Sequence, residues 1–142
     1  MRNMAAITAI LFCCAASVVW AALPRTPAPE GVELYIVSPQ NGERVGREVV
    51  VVFGLRGMGV APAGVGKEKT GHHHLLIDVE STPALDQPLP NDANHRHFGG
   101  GQTEAVIELE PGQHTLQLLL GDHNHVPHDP PVMSEKITVV VE

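Results

Sequence analysis

The chain has 142 residues, enough for one domain, with nine histidines, two cysteines and a formal net charge of −7. The acidic balance argues against nucleic acid and anionic lipid as partners and is compatible with binding a cation. Aromatic residues make up only 4% of the chain, so its core is expected to be aliphatic.

Residues 1–21 read as a signal peptide. Arg2 makes a short basic start, and an almost unbroken apolar run follows to Trp20. Val19-Trp20-Ala21 places small residues at the positions a signal peptidase reads. The run falls short of the ~20 apolar residues that span a bilayer, and no basic cluster follows it, so no stable membrane anchor is expected. A lipoprotein is disfavoured too, because Phe12 precedes Cys13 and Cys13 precedes Cys14, where a lipobox carries a small residue. Both cysteines lie inside the signal. The mature chain, from about Ala22, therefore has no disulfide and no thiolate ligand. Losing Arg2 leaves eight basic against sixteen acidic residues, a net charge of −8. The expected location is periplasmic or secreted.

Residues 22–32 are expected to be an extended tether, and residues 33–142 a β-sandwich domain. Residues 33–38 alternate as a strand does, and Pro39-Gln40-Asn41-Gly42 is a turn. Residues 49–55 are rich in β-branched side chains, with Val49, Val51, Phe53 and Leu55 on one face. Residues 57–71 hold five glycines and a proline and read as a loop. A strand over 72–79 puts Leu75, Ile77 and Val79 on one face and His72, His74 and Leu76 on the other. Residues 81–101 read mostly as loop, with one short edge strand. Strands follow at 103–109, 114–120 and 134–141, separated by the Pro111-Gly112 turn and by a loop at 121–132 with three prolines. No segment has sustained helical periodicity. About seven short strands with Gly/Pro turns indicate an all-β, immunoglobulin-like sandwich.

Six histidines form three H-x-H pairs: His72/His74, His95/His97 and His123/His125; His128 follows the last. In an extended segment both members of a pair point the same way with Cα atoms ~6.6 Å apart, so both imidazoles can reach one ion. The tight turn at 111–112 joins two strands at one end, so the loop entering the first and the loop leaving the second share the other end. An immunoglobulin topology brings the start of the 72–79 strand there as well. All three pairs are thus expected at one pole. His114 falls at the opposite pole, where it is expected as a buried structural residue. His73 faces the core with Leu75 and Ile77 and reads as packed and hydrogen-bonded.

The ligand pool is His72, His74, His95, His97, His123, His125 and His128, with Asp122 to orient an imidazole and Asp129 and Glu104 as further oxygen groups. Nitrogen donors suit Cu(II), Zn(II) or Ni(II). The absence of cysteine in the mature chain argues against Cu(I) and excludes blue copper and c-type haem. The competing reading is that histidines tie long loops together by hydrogen bonds in a domain without disulfides.

Several segments are distinctive: TGHHHLLID at 70–78, HFGGGQTE at 97–104, PGQHTL at 111–116, LGDHNHVPHDPP at 120–131 and VFGLRGMGVAPAG at 52–64. Together they resemble a bacterial family of small exported proteins classed as a domain of unknown function. The resemblance covers nearly the whole mature chain. It identifies a family and implies no activity; the glycine–histidine strand and the Pro-Gly turn also resemble immunoglobulin-like modules of exported proteins. The functional expectation is an exported Cu(II) or Zn(II) carrier or buffer, not an enzyme, whose partners are the metal ion and another exported protein. The alternatives are a small metalloenzyme with Glu104 as base and an interaction module whose histidines are loop ties. Unperturbed imidazoles would lose metal on acidification through about pH 6.

Overall fold

The structure, a computed structural model, describes residues 23–142, and the expected signal peptide lies outside the described residues. Nine strands follow in chain order: β1 (Glu33–Ser38), β2 (Arg44–Val45), β3 (Glu48–Arg56), β4 (Gly59–Val60), β5 (Thr70–Ile77), β6 (His95–His97), β7 (Glu104–Glu108), β8 (Gly112–Gly121) and β9 (Ile137–Val141). There is no helix among the described residues. Two of the strands, β2 and β4, are only two residues long, which leaves seven of more usual length.

The strands make two sheets. One has the order β1-β3-β7; the other has the order β2-β9-β8-β5-β4, with β6 also paired to β5. This is an immunoglobulin-like β-sandwich. Alternation explains the core between the sheets: Val49, Val51 and Phe53 of β3 meet Leu75 and Ile77 of β5 and Leu116, Leu118 and Leu120 of β8. Val139 and Val141 of β9 and Ile107 of β7 complete it, and all these side chains are buried. It is aliphatic apart from Phe53 and its neighbours Phe98 and His73.

The short edge strand expected within 81–101 is β6, which pairs with β5 and so belongs to the same sheet as β8. One detail differs from the sequence expectation. The last strand is interrupted: Leu119 bridges Met133 before Leu116 pairs with Ile137, which leaves residues 135–136 exposed between the two stretches.

The feature that positions the site is that β5 is buried on both faces from Gly71 to Ile77. The outer face of an antiparallel sheet usually meets water. Here the polypeptide after β5 and after β8 folds back over it. Leu76 and Leu119 of the outer face pack with Leu89 of the first of these segments, flanked by Val79 and Met133. The two segments are fastened to each other where the Leu89 amide donates to the His125 carbonyl at 2.9 Å.

Residues 23–29 form no strand beyond a single bridge, and they are held against the body of the domain. Pro27 bridges Asp129, with Ala28 donating to the Asp129 carbonyl and the Asp129 amide donating to the Thr26 carbonyl, both at 2.9 Å.

Candidate metal centre

His72 and His74 project from the outer face of β5 because His73, between them, faces the inter-sheet core. The pairing register sets His74 directly opposite His97 on β6. On the other side of β5, His72 lies opposite Gly121, where β8 ends and the next loop begins. That loop turns sharply, with the Asp122 amide donating to Val126 and the His125 amide donating to Asp122, both at 2.9 Å, and returns His125 over the strand. His125 takes a positive φ of 66° to do so.

Four imidazoles therefore meet. Ring centroids lie 4.9 Å apart for His72 and His74, 5.0 Å for His72 and His97, and 5.0 Å for His74 and His97. His125 lies 4.7 Å from His97, 5.0 Å from His72 and 6.1 Å from His74. His72, His74 and His97 each offer a nitrogen within 4.8 Å of the other two, close enough to hold one metal ion. His125 stands against this trio by its ring contacts.

The donor set fits a borderline divalent cation. His72 Nε2 and His74 Nε2 are 3.1 Å apart. With metal–nitrogen bonds of ~2.05 Å that gap subtends roughly 100° at the ion, between square-planar and tetrahedral angles. Both residues are buried, at 0% and 1% exposed, and the Nδ1 atoms of both and the Nε2 of His97 have no hydrogen-bond partner. Burial first, and then the neighbouring imidazoles, push His72 down to about 4 and His74 down to about 2. His97 is lowered for the same two reasons. These three rings are thus held neutral at pH 7, the state a metal needs.

Two glycines leave room for these rings. A Cβ on Gly99 would stand 2.4 Å from His97 Cε1, and one on Gly121 would stand 2.9 Å from His74 Nε2. The glycines of the HFGGG and LGDHNH segments are therefore part of the site's shape.

A family model described as a domain of unknown function, DUF4399, matches residues 51–142. The chain belongs to the DUF4399 family. The matched span holds all nine histidines and runs from within β3 to the last strand. No curated protein and no solved structure matches the chain.

The remaining histidines of this DUF4399 chain stand elsewhere. His95 bonds Asp92 through Nδ1 at 2.9 Å. His123 is exposed, with its Nε2 3.0 Å from the Asn124 side-chain amide. His128 is buried, its Nε2 3.3 Å from the Thr70 carbonyl and its Nδ1 without a partner. His73 packs on Phe53 with centroids 4.9 Å apart and reaches the Gln102 carbonyl at 3.1 Å. His114 sits at the far end of β8, bonded to the Glu110 carbonyl at 2.8 Å and to Asp78 at 2.7 Å. It is half-buried, against the expectation of full burial, because Asp78 draws the ring to the rim.

Asp122 is buried, but its carboxylate is engaged away from the imidazole nitrogens. It accepts the Thr26 hydroxyl at 2.6 Å and the amides of Asn124 and Val126 at 2.8 and 3.0 Å. Burial works to raise its pKa, yet these bonds outweigh it and hold the group below the usual carboxylate range. Glu104 opens β7 on the other sheet, exposed, and Asp129 is exposed beside Arg25. Sequence reasoning did not single out Thr26, Arg25 or Gly99; only the two-residue spacing from His97 to Gly99 is a local signal.

Proposed function

We propose that this DUF4399 protein is an exported, non-enzymatic carrier or buffer for Cu(II) or Zn(II), with His72, His74, His97 and His125 as the ligands. The observation that carries the reading is the pair of buried Nε2 atoms 3.1 Å apart on His72 and His74, with no other partner for either ring. Buried polar nitrogens are almost always satisfied, so two buried rings whose only polar neighbours are each other call for a ligand.

The loop-tie reading accounts for other histidines. His73, His95, His114 and His128 each reach a carbonyl or carboxylate. The four clustered rings have no such partners, so the reading that explains the rest does not explain them. The hydrolytic reading needs a base beside the ion, and Glu104, the residue suggested for it, is on the opposite sheet. That position favours a carrier.

Calorimetric titration of untagged protein with Zn(II) and Cu(II) tests the reading. It predicts one ion per chain, and His72→Ala/His74→Ala should bind no better than any surface bearing scattered histidines while staying folded. Weak binding by the wild type, or unfolding of the double variant, would return the cluster to a structural role.

A further inference from the structure

The segment ahead of the first strand makes polar contacts that a passive tether does not need. Thr26 donates its hydroxyl to Asp122 Oδ2 at 2.6 Å. Asp122 Oδ1 meanwhile accepts the amides of Asn124 and Val126, the two residues that flank His125. One carboxylate thus joins the leading segment to the turn that presents the fourth imidazole. Arg25 grips the same loop further on: its Nε donates to the Pro127 carbonyl at 3.2 Å, its Nη1 pairs with Asp129 at 3.2 Å, and its Nη2 donates to the His128 carbonyl. A backbone bridge between Pro27 and Asp129 follows these anchors directly. Both side chains lie outside the span that defines family membership, so that membership assigns them nothing.

We infer that residues 23–29 are a strap that positions His125, with Thr26 as the positioning residue acting through Asp122 and Arg25 as the second anchor. The turn at 122–126 has a left-handed residue at its centre, His125, where a non-glycine side chain is at a disadvantage. Such a conformation persists only where surrounding bonds over-determine it. The amides on either side of His125 are fixed by Asp122, and Asp122 is itself fixed by Thr26. Freed from Thr26, the carboxylate has a buried oxygen without a donor and a reason to turn toward solvent. His125 would then leave the cluster, while His72, His74 and His97, which are set by strand pairing, would stay.

The inference rests on the metal reading for its effect on affinity, but not for its effect on the loop. Metal-free wild type, Thr26→Val, Thr26→Ser and Arg25→Gln are compared by amide hydrogen exchange and by Zn(II) affinity against a chromophoric chelator. Thr26→Val should quicken exchange at Asn124 and Val126, leave β5 and β8 as protected as in the wild type, and weaken Zn(II) roughly 10- to 100-fold, the range for lost outer partners of a metal ligand. Thr26→Ser, which keeps the hydroxyl, should restore both. Arg25→Gln should quicken exchange at residues 128 and 129 more than at 124–126. Wild-type exchange and affinity in Thr26→Val, or failure of serine to rescue, would overturn the strap. Quickened exchange in Thr26→Val beside a wild type that does not bind Zn(II) would overturn the metal reading and uphold the coupling between strap and loop.

Discussion

His74 is nearly solvent-free, stands 3.1 Å from His72 through Nε2, and leaves its Nδ1 without a partner. Such a ring does little for the metal-free fold, since a buried unsatisfied polar atom costs about 1–3 kcal/mol. Replacing both members of the pair by apolar groups of similar shape removes that penalty. His72→Leu/His74→Leu should therefore unfold in urea at the same or a higher midpoint than metal-free wild type, while losing metal binding. A midpoint lowered by about 2 kcal/mol or more would mean the rings hold the loops together. The same burial sets a pH dependence. The folded state keeps His72 neutral down to about 4, whereas the unfolded chain takes up that proton near 6.5. Between those values the unfolded state binds more protons, so stability of the metal-free protein rises with pH and falls on acidification. His72 alone contributes on the order of 3 kcal/mol across that window, and His74 acts in the same direction from the same onset near 6.5 and on down to about 2. Urea midpoints measured from pH 7 to pH 4 should fall steadily; a flat profile would contradict the buried neutral cluster. Competition by protons at His72 and His74 likewise begins lower than the pH of about 6 expected of unperturbed imidazoles.

At the scale of elements, the site depends on how closely backbone can approach ring. Gly99→Ala puts a methyl group 2.4 Å from His97 Cε1, and the ring has to yield. Zn(II) affinity should fall by about 10-fold or more while thermal stability of the metal-free protein changes little, because Gly99 is outside the pairing of β5 and β6. Unchanged affinity would show that His97 is not a ligand. The strands themselves were readable from alternation and turn residues, because local pattern and inter-sheet burial agree at β1, β3, β7 and β8. The two-residue period also told which side of β5 His72 and His74 occupy. It did not tell what covers that side. The cover depends on Leu89 meeting Leu76 and Leu119, a contact among segments far apart in sequence that no local pattern encodes. For the same reason His95 and His97 were expected on a loop at the pole, whereas they form an edge strand beside β5, and the predicted His72/His74 face of β5 is buried under covering chain. Asp122 was expected to orient an imidazole; its spacing to Asn124 favours a side-chain-to-backbone turn, and Thr26 takes the other oxygen.

At the scale of the whole molecule, a domain without disulfides in its described part stands on one aliphatic core and a small second one. A ligand that binds only the folded state adds stability by mass action, about 2.7 kcal/mol at a free concentration 100 times Kd. The melting temperature should therefore climb with Zn(II) in wild type and stay constant in His72→Leu/His74→Leu. The central claim is that four imidazoles from one strand, its edge partner and one loop share an ion. X-ray absorption at the zinc edge, on untagged protein carrying one equivalent of Zn(II), reads this most directly. It should show four nitrogen scatterers at ~2.0–2.1 Å with the outer-shell signature of imidazole. A first shell dominated by oxygen, or imidazole scattering from a single ring, would contradict it.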